Sequence, residues 1–104
     1  MLVFTVENIP NKKYEPIALV EGGVVQSKHM GKDIMAGFKT MVGGEIKGYT
    51  EMMQEARAIA TQRMVNNAAQ YNADAIVCVR YASSQIMQGA AEVIAYGTAV
   101  KFVD

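Results

Sequence analysis

Between Tyr49 and Asp74 the chain reads YTEMMQEARAIATQRMVNNAAQYNAD, with apolar residues at Tyr49, Met52, Met53, Ala56, Ile59, Ala60, Met64, Ala68 and Tyr71. That i, i+3, i+4, i+7 spacing is one stripe of an α-helix lying on a core. The acids Glu51 and Glu55 come early, where the helix dipole favours them, and Arg57 and Arg63 follow. Thr50 after Gly48 is an N-cap candidate, and Asn72 suits the left-handed residue that closes a helix before a strand begins at Ala75. A helix this long needs a sheet to cover, and the rest of the chain supplies one.

The order of signals is β-β-α-α-β-β. Leu2–Val6 is a short apolar strand, and Asn8–Lys13, with Pro10, is a loop. Tyr14–Ser27 is a longer strand in which Gly22-Gly23 predicts a bulge or bend. Lys28–Lys32 turns the chain, and Asp33–Val42 has the apolar spacing of a short helix capped by Asp33. Gly43-Gly44 stops that helix. Ala75–Ser84 is a β-branched strand, Ser83–Ala90 a connection with Gly89 in its turn, and Ala91–Val103 the last strand. The expected fold class is α+β, one domain over residues 1–104: an antiparallel sheet covered on one face by the long helix and the short one.

The last strand divides by alternation. Val93, Ala95, Gly97 and Ala99 form a small-residue face that lets a helix come close. Ile94, Tyr96, Val100 and Phe102 form the other face, too apolar for water. A sheet with one solvated face alternates apolar and polar residues, and a single long helix covers only one face. The second face is therefore expected to be buried in a homo-oligomer, with Ile94, Tyr96, Val100 and Phe102 at the interface. At 104 residues and 51% hydrophobic, the chain is small and apolar enough to bury surface against copies of itself.

Ten basic and ten acidic residues cancel, with no basic block, which speaks against a nucleic-acid or membrane-surface binder. One cysteine, Cys78, cannot form an internal disulfide. No apolar run reaches the roughly 20 residues that span a bilayer, and the opening residues lack a basic stretch followed by an apolar one. A cytoplasmic location is the expectation.

The ordered set Gly23-Val24-Val25, Gly31-x-x-Ile34, Val42-Gly43-Gly44, Tyr49, Ala56-Arg57, Asn72-Ala73-Asp74-Ala75-Ile76-Val77 and Gly97-Thr98-Ala99-Val100 covers nearly the whole chain. It resembles the YbjQ-like family of small bacterial and archaeal proteins, which carries a heavy-metal-binding label. The family usually has Gly where Asn72 stands and where Ser27 stands. The resemblance implies a dodecin-like subunit that assembles into a ring, with five copies favoured, and no established activity.

Chemistry-bearing groups are sparse. A transition-metal site wants about four soft or imidazole ligands, and His29, Met30 and Asp33 form the best local group, against the plainer reading of a turn histidine beside a helix cap. Tetrahedral ligation there would need ligands from a neighbouring copy. No other cofactor is implied. Met35, Met41, Met52, Met53 and Met64 fall on apolar helix faces and read as core. Gly43 to Thr50 has the outline G-x-x-x-x-G-x-T, but Tyr49 replaces the phosphate-binding lysine, so nucleotide hydrolysis is rejected. Gly48, Tyr49 and Thr50 at the helix start remain an anion-binding candidate. No Ser or Cys has a paired base, and no catalytic residue is assigned. Arg80 with Glu92, and Arg57 with Glu21, are the ion pairs considered. The expectation is a non-enzymatic assembly protein.

Overall fold

A computed structural model of the chain describes residues 1–27 and 47–103. Its elements are β1 (Leu2–Val3), β2 (Lys13–Ser27), α1 (Lys47–Ala69), β3 (Ala75–Met87) and β4 (Ala90–Val103). They form one four-stranded sheet in the order β1-β3-β4-β2, with α1 on one face. The α+β class is as expected, but the sheet is mixed: β1 runs parallel to β3, while β4 is antiparallel to both β3 and β2. The expected short helix at Asp33–Val42 lies outside the described residues.

Helix α1 buries Met52, Ala56, Ala60, Met64 and Ala68, a row with a strict four-residue step. This row seats α1 on the sheet. The core beneath it consists of Val20, Ile76, Val79, Val93, Ala95 and Ala99, so the small-residue face of β4 does meet the helix. Tyr71 falls past the helix end and is exposed.

The helix bounds differ from expectation at the start and agree at the end. The described helix begins at Lys47, so Thr50 is inside it rather than its N-cap, and the first turn holds no acid. Glu51 lies beyond the turn where the dipole acts. At the other end Asn72 is left-handed, with φ 57°. The Asn72 N–H donates to the Ala69 carbonyl and the Ala73 N–H to the Ala68 carbonyl. These are the two bonds of a Schellman cap, and Ala73 packs on the core as the cap requires.

Gly22-Gly23 makes no bulge: β2 and β4 stay in register from Ala18 to Ser27, and the irregularity sits at Pro16/Ala18. A proline at a bulge suits an edge strand. Gly22 has a different task. A Cβ there would lie 2.2 Å from the Met64 nitrogen and 2.4 Å from the Ala60 oxygen, so helix and strand backbones touch. Helix side chains add to the contact: Asn67 Oδ1 accepts the Glu21 N–H at 3.0 Å, and Arg63 Nη1 donates to the Gly23 carbonyl at 2.7 Å.

The third strand is longer than its sequence suggests. Ser83–Met87 pairs with β4, and only Gln88 and Gly89 turn the chain, with Gly89 at φ 79°. The register shifts by one residue between Val77 and Arg80, where Cys78 is left-handed with φ 57°. This bulge sits opposite Gly97, whose absent side chain leaves room for Ile76 and Val79.

The two glycines of β2 should respond oppositely to a methyl group. Gly22→Ala forces α1 off the sheet and should lower stability by about 2–3 kcal/mol. Gly23→Ala meets nothing closer than Ile94 Cγ1 at 3.5 Å and should cost well under half of that. Urea unfolding of both variants at one protein concentration measures the difference.

Candidate assembly surface

The face of the sheet away from α1 is built by alternation along three strands. Paired residues share a face, so the register sets Arg80, Tyr96 and Glu21 on one rung. Ala82, Ile94 and Gly23 form the next, and Ser84, Glu92 and Val25 the one beyond. Tyr81 points the other way, its hydroxyl 2.7 Å from Thr61 Oγ1 on the helix.

One end of this face is covered by the chain itself. Ala75, Val77 and Val100 form a second buried cluster, packed under Ile9, Tyr14, Cys78 and Phe102. The segment after β1 is held there by backbone bonds, Phe4 N–H to the Ile76 carbonyl, Cys78 N–H to Val6 and Val79 N–H to Phe4. The Tyr14 hydroxyl donates to the Glu7 carbonyl, and the Lys12 ammonium lies over the Phe102 ring, 4.9 Å from its centre. Of the four expected interface residues, Val100 is thus buried within the chain and Phe102 half-buried beneath Lys12. Ile94 and Tyr96 lie beyond that cover. Around them Leu19 is 70% exposed and Val25 58% exposed, so this apolar surface faces solvent in the single chain.

The expected ion pairs are not formed. Arg80 and Glu92 stand two rungs apart, and Arg80 Nη1 instead donates to the Thr5 and Val79 carbonyls, at 3.1 and 2.9 Å. Glu21 projects from the face opposite α1, out of reach of Arg57. Among the described residues the salt bridge is Lys101 Nζ to Asp74 Oδ1, 3.4 Å. Asp74 Oδ2 also accepts the Phe102 N–H at 2.8 Å, while Lys101 Nζ donates to the Asn72 carbonyl. The Phe102 amide holds the Asp74 carboxyl below its ordinary range; burial opposes it, and Lys101 and then Lys12 add to the lowering.

The other candidate site residues fall as follows. His29, Met30 and Asp33 lie outside the described residues. Gly48, Tyr49 and Thr50 are in the first turn of α1 and half-buried. Among the described residues no three His, Cys, Asp or Glu side chains come together as a metal site. Cys78 is half-buried beside the apolar second cluster. Met52 and Met64 are fully buried core, as their spacing predicts. No described helix is long and apolar enough to cross a membrane.

Comparison with known proteins gives a consistent match. A family profile described as "Putative heavy-metal-binding", YbjQ_1, matches residues 1–103. A UPF0145 protein of Alkaliphilus metalliredigens is 56% identical over 103 residues, 99% of this chain and all of its own length. One from Vibrio parahaemolyticus is 55% identical over 105 residues, covering both chains fully. One from Thermotoga petrophila is 57% identical over 102 residues, 97% of this chain and 96% of its own. The fold is similar to the crystal structure of a Pediococcus pentosaceus protein of unknown function from the DUF74 family. That likeness has a TM-score of 0.68 at 20% identity, over 99% of this chain and 98% of the other.

Asp74 makes acid sensitivity a test of the local geometry. Its depressed folded pKa means the carboxylate favours the folded state above its unfolded value near 3.9, and that contribution is lost as pH falls through the lower folded value. Asp74→Asn should flatten the pH dependence of the unfolding midpoint below about pH 4. An unchanged acid limb would remove Asp74 from that role.

Proposed function

The chain belongs to the YbjQ-like (UPF0145) family, and we propose that it is a non-enzymatic protein whose working form is a self-assembled ring, with five copies favoured. The observation that carries this is the sheet face away from α1. Its apolar residues Leu19, Val25 and Tyr96 lie in solvent, and the chain's own N-terminal segment covers only the far end. The outer side of α1, with Gln54, Glu55, Arg57 and Gln62, is exposed and polar, so it suits the outside of an assembly.

The five-fold count comes from the family resemblance rather than from a distance or area in the chain. The family description supports a second reading, in which a metal sits between copies on ligands no single copy completes.

Native mass spectrometry of freshly purified protein tests both readings. A discrete multiple of the chain mass is expected, and a stoichiometric retained metal would support the second reading. Tyr96→Asp places a charge on the exposed apolar face and should shift the population to monomer at micromolar concentration. A monodisperse wild-type monomer would overturn the assembly reading.

A further inference from the structure

We propose that residues 1–9 are a strap seated on the bulge at Cys78, and that strap and bulge open and close as one unit. The device controls the cover over Ala75, Val77 and Val100, and it does not depend on how copies assemble.

The bulge makes a demand that the strap meets. Cys78 and Val79 stand together opposite Gly97, since Val77 pairs with Thr98 and Arg80 with Tyr96. Where the first residue of a bulge is left-handed, it is ordinarily glycine. Here it is Cys78, at φ 57°, a conformation that a Cβ disfavours. The N–H groups of both bulge residues turn to the strap. Cys78 donates to the Val6 carbonyl at 3.1 Å and Val79 to the Phe4 carbonyl at 3.0 Å. Arg80 Nη1 donates to the Thr5 carbonyl between them, and the Phe4 N–H returns to the Ile76 carbonyl. Three successive strap carbonyls thus meet three successive residues of β3. Lifting the strap takes the partners from two backbone donors, and with them the support for the left-handed turn at Cys78.

The strap also has a pivot that persists when it moves. Pro10 and Asn11 form the turn that joins it to β2, closed by the Lys12 N–H on the Ile9 carbonyl at 3.2 Å. Asn11 is left-handed at φ 63°, which asparagine tolerates, and proline favours the position before it. That turn is encoded by its own residues and needs nothing from β3. Beyond it, residues 5–8 are exposed, and the strap packs on the cores through Val3 and Ile9, each only half-buried. Its hold is therefore mainly directional, through the bonds to β3 and the Tyr14 hydroxyl on the Glu7 carbonyl. A segment with little apolar burial opens at low cost.

The consequence reaches the face away from α1. With the strap down, Ile9 sits on the second cluster and the Arg80 guanidinium is tied to the Thr5 and Val79 carbonyls. With the strap up, Ile9 leaves that cluster and Arg80 loses Thr5. Arg80 shares its rung with Tyr96 and Glu21, so a cation is released onto that face when the N-terminus lifts. The bulge is the joint that turns the position of the first strand into a change on the sheet.

Native-state hydrogen exchange of the full chain, at one protein concentration, tests the coupling. In the wild type the Phe4, Cys78 and Val79 amides are expected to share one protection factor and one shallow urea dependence, with Val93 and Ala95 far better protected. Loss of protection at Phe4 well before Cys78 and Val79 would overturn the proposal. Two variants separate the bulge from the strap. Cys78→Ala keeps the Cβ at the left-handed position and Cys78→Gly removes it. The glycine variant should protect the Phe4 amide roughly five- to tenfold better than the alanine variant. Equal protection would show that the bulge has no part in seating the strap. From the strap side, Tyr14→Phe removes the bond to Glu7 and should speed all three amides by about fivefold, the scale of one net hydrogen bond, with the circular dichroism unchanged. Faster exchange at Phe4 alone would overturn the single unit.

Discussion

The structure depends on the contact between α1 and β2 at Gly22. Interior packing normally keeps helix and sheet backbones a side chain apart, but here the Met64 nitrogen and the Ala60 oxygen occupy the space a Cβ would fill. Small residues at Ala56, Ala60 and Ala68 extend that approach along the helix. The close seat lets Asn67 and Arg63 reach the backbone of the edge strand, so a packing requirement and edge protection come from one contact. On the β3 side the N-terminal segment holds the edge as far as Val79, and among the described residues no helix side chain reaches its backbone, so the two edges differ.

A second economy lies on the opposite face. The chain uses its own N-terminal segment to roof Ala75, Val77 and Val100, with Arg80 clasping the Thr5 carbonyl and Tyr14 clasping that of Glu7. The roof extends over one end of the sheet only. Leu19, Val25 and Tyr96 on this face stay exposed, as do Ile86 and Met87 at the β3–β4 hairpin.

Much of this was legible in the sequence because it follows from periodicity. The core row of α1, the small-residue face of β4 and the left-handed cap at Asn72 each rest on spacing or on a residue type with one physical use. What was not legible required knowledge of a distant partner. Gly22 reads as a bend because glycine in a strand usually marks one; that it admits a helix backbone depends on Ala60 and Met64, some forty residues away. Ser83–Met87 reads as a loop because Ser-Ser-Gln is a poor strand signal, and pairing with β4 overrides that propensity. Val100 and Phe102 read as interface because the chain's fold over them comes from residues that look like an ordinary loop. The bulge at Cys78 had no sequence signal beyond Gly97, whose role appears only once the strands are aligned.

The parallel pairing of Leu2 and Val3 with Ala75 and Ile76 joins parts of the fold far apart in sequence, as the pairing of β2 with β4 does, while β3 and β4 are joined across Gln88 and Gly89. Loop closure makes the near contact quick and the far one slow. The β3–β4 hairpin is therefore favoured to form ahead of the two long-range pairings, β1 with β3 and β2 with β4. Because β1 is two residues long, its release is a local opening of low cost, and it loosens the cover over Ala75, Val77 and Val100.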